Sequence, residues 1–165
     1  MKLIILLFVF LGFAALGWFI RAHFRARKVF FDNLLAFCEH LLTEINFSKN
    51  SVIQVIDTYA QSYAKPFREV LFGYKNLLTG KHDITRARTD AVLFRKLKTN
   101  ERTPIADFFF ELGRHGATEE TEKIHNKRII FREFHAAAAQ TLTRDASIYF
   151  KICILLGIAA VILLL

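Results

Sequence analysis

Residues 3–20 read LIILLFVFLGFAALGWFI, and residues 152–165 read ICILLGIAAVILLL. The first run holds eighteen residues without a charge. At 1.5 Å per residue it extends about 27 Å, close to the thickness of a bilayer's hydrocarbon core. It predicts a transmembrane helix over 1–20. The second run has fourteen residues. Ile148, Tyr149 and Phe150 lengthen it once Lys151 carries its ammonium toward the headgroups, which sets a second transmembrane helix over 148–165. Its aliphatic side chains point to every side of a helix, unlike those of a one-faced core helix.

Between these ends lies a region of different character. The 165-residue chain is 53% hydrophobic, yet much of that fraction sits in the two runs, and the remainder carries most of a formal charge of +8. Lys2 alone precedes the first run, whereas Arg21, Arg25, Arg27 and Lys28 follow it; Arg144 and Lys151 stand before the second run and no charged side chain follows. A cleaved signal peptide has its charges in front. Cations on the inner flanks of both spans place residues 21–151 in the cytoplasm and both termini outside. Topology therefore accounts for the basic collar of Arg21, Arg25, Arg27, Lys28 and Lys151, and no nucleic-acid partner is expected. Binding of membrane lipid, or an alternative role as a membrane-anchored module for anionic lipid or another polyanion, uses the same charges. Gly12 and Gly17 are five apart and Gly157 has no glycine partner, so neither span carries G-x-x-x-G, and close helix dimerisation is not specifically indicated.

The segment 21–147 reads as a bundle of helices, making the whole chain all-α. Phe31, Leu34, Leu35, Cys38, Leu41, Leu42 and Ile45 recur at spacings of three and four, with polar residues between them. No Gly or Pro follows Gly17 here, so one helix is expected to continue to about Asn46, roughly 38 Å beyond the span. Residues 47–51 carry turn and capping types before a short helix at Val52–Tyr59. Pro66 suits the first turn of the next helix, which carries Phe67, Val70, Leu71, Tyr74, Leu77 and Leu78 and stops near Gly80. Residues 84–98 give a weaker helix. Thr103-Pro104 reads as an N-cap and first residue opening a helix from Ile105 to Leu112 that ends at Gly113. After a tight link, Thr118 is expected to cap a last helix. Its first turn bears Glu119, Glu120 and Glu122, favourable at the positive helix end. Ile124, Ile130, Phe131, Phe134, Ala137, Ala138 and Leu142 are placed on one side of it, against the first helix.

Enzyme chemistry finds no constellation. His23, His40, His82, His115, His125 and His135 form no H-E-x-x-H or similar cluster. Cys38 and His40, two apart on a helix, point to different faces, and Cys38 reads as core. No glycine-rich loop followed by Lys-Ser or Lys-Thr exists, so nucleotide hydrolysis is not expected. No cofactor and no metal is expected. Two cysteines without ligand spacing fit a reduced compartment.

Several stretches carry a resemblance. Phe109-Phe110-Glu111-Leu112-Gly113, the short link, the acidic turn at Glu119 and Glu120, an unbroken helix, and the tail from Leu155 through Gly157 to Leu165 resemble the ending of the stage III sporulation protein AB family. That family is itself similar to the inner-membrane platform protein of type II secretion. Leu34 to Ile45 after the first span matches it more loosely, and Ser51-Val52 replaces the Pro-Leu step expected of many relatives. The resemblance implies a non-catalytic scaffold of the channel between mother cell and forespore, facing the mother-cell cytoplasm. It also implies a separate secretion-type ATPase and other membrane subunits of that channel as partners, and leaves room for a homo-oligomer. Leu112, Gly113, Glu119, Glu120 and Glu122 are the expected partner-binding residues.

Overall fold

The computed structural model describes residues 2–48, 50–80, 84–114 and 116–164, and the side chains of Lys2, Leu3, Ile5, Leu6 and Leu164 lie outside that description. So do Lys49, His82, His115 and Leu165, which figure in the sequence reading. The described residues form six α-helices and no strand: α1 Lys2–Thr43, α2 Val52–Tyr59, α3 Lys65–Thr79, α4 Arg86–Val92, α5 Thr99–Glu111 and α6 Ala117–Leu164. Helices α1 and α6 each contain an apolar stretch long enough to cross a membrane, consistent with a membrane protein.

The chain divides into two compact units, residues 2–28 with 136–164 and Val29–His135. In the first, α1 and α6 pair antiparallel. A Cβ on Gly17 would stand 2.9 Å from Phe150 Cδ2, and one on Gly157 would stand 3.1 Å from Phe13 Cβ, so each glycine admits an aromatic residue of the other helix. Close approach, which the missing G-x-x-x-G did not indicate, is thus made by single glycines on opposite helices. Phe24 and Tyr149 stack at 6.2 Å. Large apolar side chains face outward: Phe19 is 72% exposed and Leu155 65%.

The second unit closes around the stripe read from α1. Phe31, Leu34, Cys38 and Leu41 are fully buried, joined by Phe30 and Phe37. Phe37 sits at the centre, its ring 5.8 Å from Phe67 and 6.2 Å from Phe109. Helix α6 supplies Ile124 and Phe131, and Phe131 meets Phe108 edge-on at 5.3 Å. Of the α6 residues expected on that face, Ile130 and Ala137 are exposed instead. The buried α6 residues of this unit include Ile124 and Phe131, seven apart, a spacing that keeps one seam toward an antiparallel neighbour.

Three boundaries differ from expectation. Ser51 caps α2 with a reciprocal bond to Gln54, and Pro66 lies in the first turn of α3, as read. The helix expected over 84–98 is confined to α4, because Leu93 and Leu97 leave helical geometry to enter the core. Helix α5 starts at Thr99 rather than Pro104: the buried Glu101 carboxylate accepts from the Lys98 N–H at 3.0 Å, and Arg102 clasps the Asp90 carboxylate at 3.1 Å. Pro104 is therefore inside α5, where it forgoes one ladder bond, the one to Asn100. Helix α6 begins at Ala117, so Thr118 sits within its first turn rather than capping it.

Candidate functional site

The ends of α1, α3 and α5 and the starts of α2 and α6 converge at one corner of the Val29–His135 unit. The elbow between α5 and α6 organises it. Leu112 closes α5, and Gly113 follows with φ +80°, a left-handed conformation that favours glycine. A Cβ at Gly113 would also press on Val52 Cγ2 at 3.3 Å. The chain then turns, with Arg114 laid over the Phe110 ring at 4.1 Å, until Glu120 N–H donates to the Gly116 carbonyl at 2.9 Å to start α6.

Glu120 ties the elbow together. Its Oε1 accepts from the Gly113 N–H at 3.0 Å, while Oε2 is buried without a hydrogen-bond partner. The side chain is 5% exposed. Leaving a buried acceptor unsatisfied costs roughly 1–3 kcal/mol, and more when the group is charged. Nearby, the Tyr74 hydroxyl donates to the Leu112 carbonyl at 3.4 Å, and burial raises that phenol above its ordinary range. Above Glu120 opens a cleft of about 440 Å³ walled by Ile45, Val52, Ile53, Leu78 and Leu112, with Asn50 and Ser51 on its edge. That volume lies within the usual range for ligand pockets, and the walls are mostly aliphatic.

Asn50 links this cleft to a polar clasp beside it. Glu44, in the π-turn Glu44–Ser48 that ends the first long helix, accepts from the Tyr59 hydroxyl at 2.8 Å and from Asn50 Nδ2 at 2.7 Å. The Tyr59 bond, then those of Ser48 and Asn50, holds the Glu44 carboxyl below the ordinary carboxylate range. Tyr59 stacks on His40 at 4.1 Å, and His40 Nδ1 lies 2.6 Å from the Tyr63 hydroxyl. In the same turn Phe47 is 84% exposed, an aromatic ring left in solvent next to the clasp.

Of the expected partner-binding residues, Leu112, Gly113 and Glu120 come together in the cleft. Glu119 turns outward to pair with Lys123 at 3.0 Å, and Glu122 is exposed away from the cleft walls. Consecutive positions near a helix start point about 100° apart, so the acidic turn splits between interior and solvent. Ile45, Val52, Ile53 and Leu78 were read only as helix residues, because nothing local announces that five separate helix ends meet. In the other unit, Arg21, Arg25 and Lys151 are exposed, Lys28 is half-buried, and Arg27 is buried.

Cys38 is enclosed and its thiol pushed up to about 12 by burial. His135 Nε2 pairs with Asp32 at 2.7 Å, whereas His125 and His23 are exposed. Among the described residues no three His, Cys, Asp or Glu side chains gather as a metal site.

A family model described as stage III sporulation protein AB matches residues 2–165. No curated protein and no solved structure matches the chain.

Proposed function

Since the chain belongs to the stage III sporulation protein AB family, we propose that within that sporulation stage it serves as a non-catalytic membrane platform. In this reading it is a component of the channel between mother cell and forespore and engages a separate secretion-type ATPase together with other membrane subunits. The observation that carries the reading is the cleft at the α5–α6 elbow, a recess walled mostly by aliphatic side chains, with the exposed Phe47 ring in the turn that leads to it. Such recesses in a well-packed domain are where partners bind. The exposed cations Arg21, Arg25 and Lys151 support a topology with the bundle in the mother-cell cytoplasm and both termini across the membrane.

A crosslinked pull-down of the tagged full-length protein from membranes of sporulating cells tests the platform role. Recovery of a secretion-type ATPase and membrane channel subunits is the expected result. Their absence, with the tagged protein still complementing a deletion, would overturn it.

A further inference from the structure

From the unpartnered Glu120 oxygen we infer that the elbow cleft is a receptor for one segment of a partner protein, carrying an arginine or lysine beside an aliphatic residue. The inference rests on the platform reading and states the chemistry of the contact. Glu120 is nine-tenths buried, and only one of its carboxylate oxygens is used inside the bundle, by the Gly113 N–H. The other, Oε2, has no donor. Among the described residues of the elbow, the cation Arg114 lies over the Phe110 ring and donates to the Ile84 carbonyl. A carboxylate closed off from water and half satisfied is completed by a charged donor, which forms bonds about twice as strong as neutral ones.

The walls specify the rest of the segment. Ile45, Val52, Ile53 and Leu78 offer aliphatic surface and no charge, so the cation must arrive on a chain whose neighbouring side chain is apolar. A free polyamine or metal ion would satisfy Oε2 and leave those walls wet. An acidic or phosphorylated peptide would meet Glu120 as a like charge, which disfavours it. The geometry therefore selects a basic and aliphatic segment, with the cation at the floor and the aliphatic side chain on the wall.

Site-specific photocrosslinking in sporulating cells tests this, with benzoylphenylalanine placed in the full-length chain at Ile53, at Leu78 or at Ile129. Ile129 is exposed and lies nine residues after Glu120 on α6, on the opposite side of the helix. Crosslinks from Ile53 and Leu78 are expected on a peptide of another protein, with an arginine or lysine within two residues of the attachment point. Glu120→Gln keeps an acceptor for the Gly113 N–H and replaces Oε2 by an amide donor. It should lower the crosslink yield at least 10-fold at unchanged protein level in the membrane. Glutamine in place of the partner's basic residue should lower it equally, which separates lost recognition from misfolding. An unchanged yield in Glu120→Gln, a captured peptide without a basic residue, or a peptide from a second copy of this chain overturns the inference. Crosslinks from Ile129 alone, or from none of the three positions, overturn it, and the pull-down decides separately whether the platform reading stands.

Discussion

Phe19 and Phe31 lie twelve residues apart on the same helix, α1, yet one is 72% exposed and the other fully buried. Leu155 and Phe131 repeat the contrast on α6. The two compact units follow opposite packing rules. Among the described side chains of residues 2–28 with 136–164 the buried positions are Gly17, Ala138, Ala146 and Gly157, together with Arg27, while large apolar side chains face outward. In Val29–His135 the largest fully buried side chains are aromatic or branched aliphatic, among them Phe30, Phe37, Phe67, Tyr74, Leu71 and Ile105. Small residues at a helix seam let backbones approach where the surroundings are as apolar as the side chains themselves. Large residues at a core are what water drives inward. The reversal of what is buried says that the two ends of each long helix are built for different solvents.

The largest effect that would break this comparison comes from truncating the same residue type in each unit. Phe37→Ala removes the ring that touches Tyr63, Phe67 and Phe109 and should cost about 3–5 kcal/mol. Phe19→Ala removes only an outward ring and should leave the bundle's stability unchanged. Thermal unfolding of the full chain in detergent micelles, followed by helical circular dichroism, measures both. A drop of about 10 °C or more is expected for Phe37→Ala. Equal shifts for the two variants would mean that the units are not packed by different rules.

A smaller effect sharpens the comparison within the helix pair. Gly17→Ala places its Cβ 2.9 Å from a Phe150 ring carbon and 3.3 Å from Cys153 Cβ, and Cys153 Cβ is tied to backbone and cannot yield. Overpacking of this kind costs about 1–3 kcal/mol. Gly12→Ala meets nothing within 4 Å, and helix propensity favours the alanine by about 1 kcal/mol. Resistance of the full chain to dodecyl sulfate in mixed micelles should fall for Gly17→Ala and hold or rise for Gly12→Ala. Two variants that behave alike would sink the idea of a glycine-made seam.

How much of this was legible beforehand follows from which signals are local. The all-α class and the buried stripe from Phe31 to Leu41 were readable because periodicity belongs to one helix and needs no partner. The end of α5 was readable because Gly113 supplies a backbone conformation that other residues rarely adopt. The start of α5 was misplaced because Thr103-Pro104 mimics a helix opening. The true signal was Glu101 reaching back to a lysine, which is not a capping type, with Arg102 held by the distant Asp90. Ile130 and Ala137 were assigned to the wrong face of α6 because the apolar runs 129–131 and 136–139 leave the phase of the seam undetermined until α1 fixes it. The cleft was half visible: Leu112, Gly113 and Glu120 announced a joint, but the convergence of Ile45, Val52, Ile53 and Leu78 is a property of tertiary structure. The acidic turn was read as one patch, although helical geometry sends Glu120 inward and Glu119 and Glu122 outward.

The smallest expected effect is a pH dependence confined to the water-type core. Burial pushes the Cys38 thiol from an ordinary 9.0 up to about 12, with nearby Arg128 opposing and Glu39 reinforcing the shift. The folded state therefore holds the thiol proton more tightly than the unfolded chain does. Its contribution is complete below pH 9 and is lost as pH rises toward about 12, because the unfolded chain releases the proton first. By pH 10 the loss is about 1 kcal/mol, roughly one pH unit above the unfolded value. Tyr63 and Tyr74, whose phenols burial also raises, add to the decline in the same direction from a higher starting point. Stability of the full chain measured between pH 8 and pH 10 should fall less steeply in Cys38→Ala than in the parent, even though the alanine is less stable throughout. In a Cys153→Ser background, where Cys38 is the remaining thiol, a maleimide should label the protein only after unfolding. Parallel pH slopes, or prompt labelling of the native protein, would show that Cys38 is not enclosed by the core that the stripe on α1 predicts.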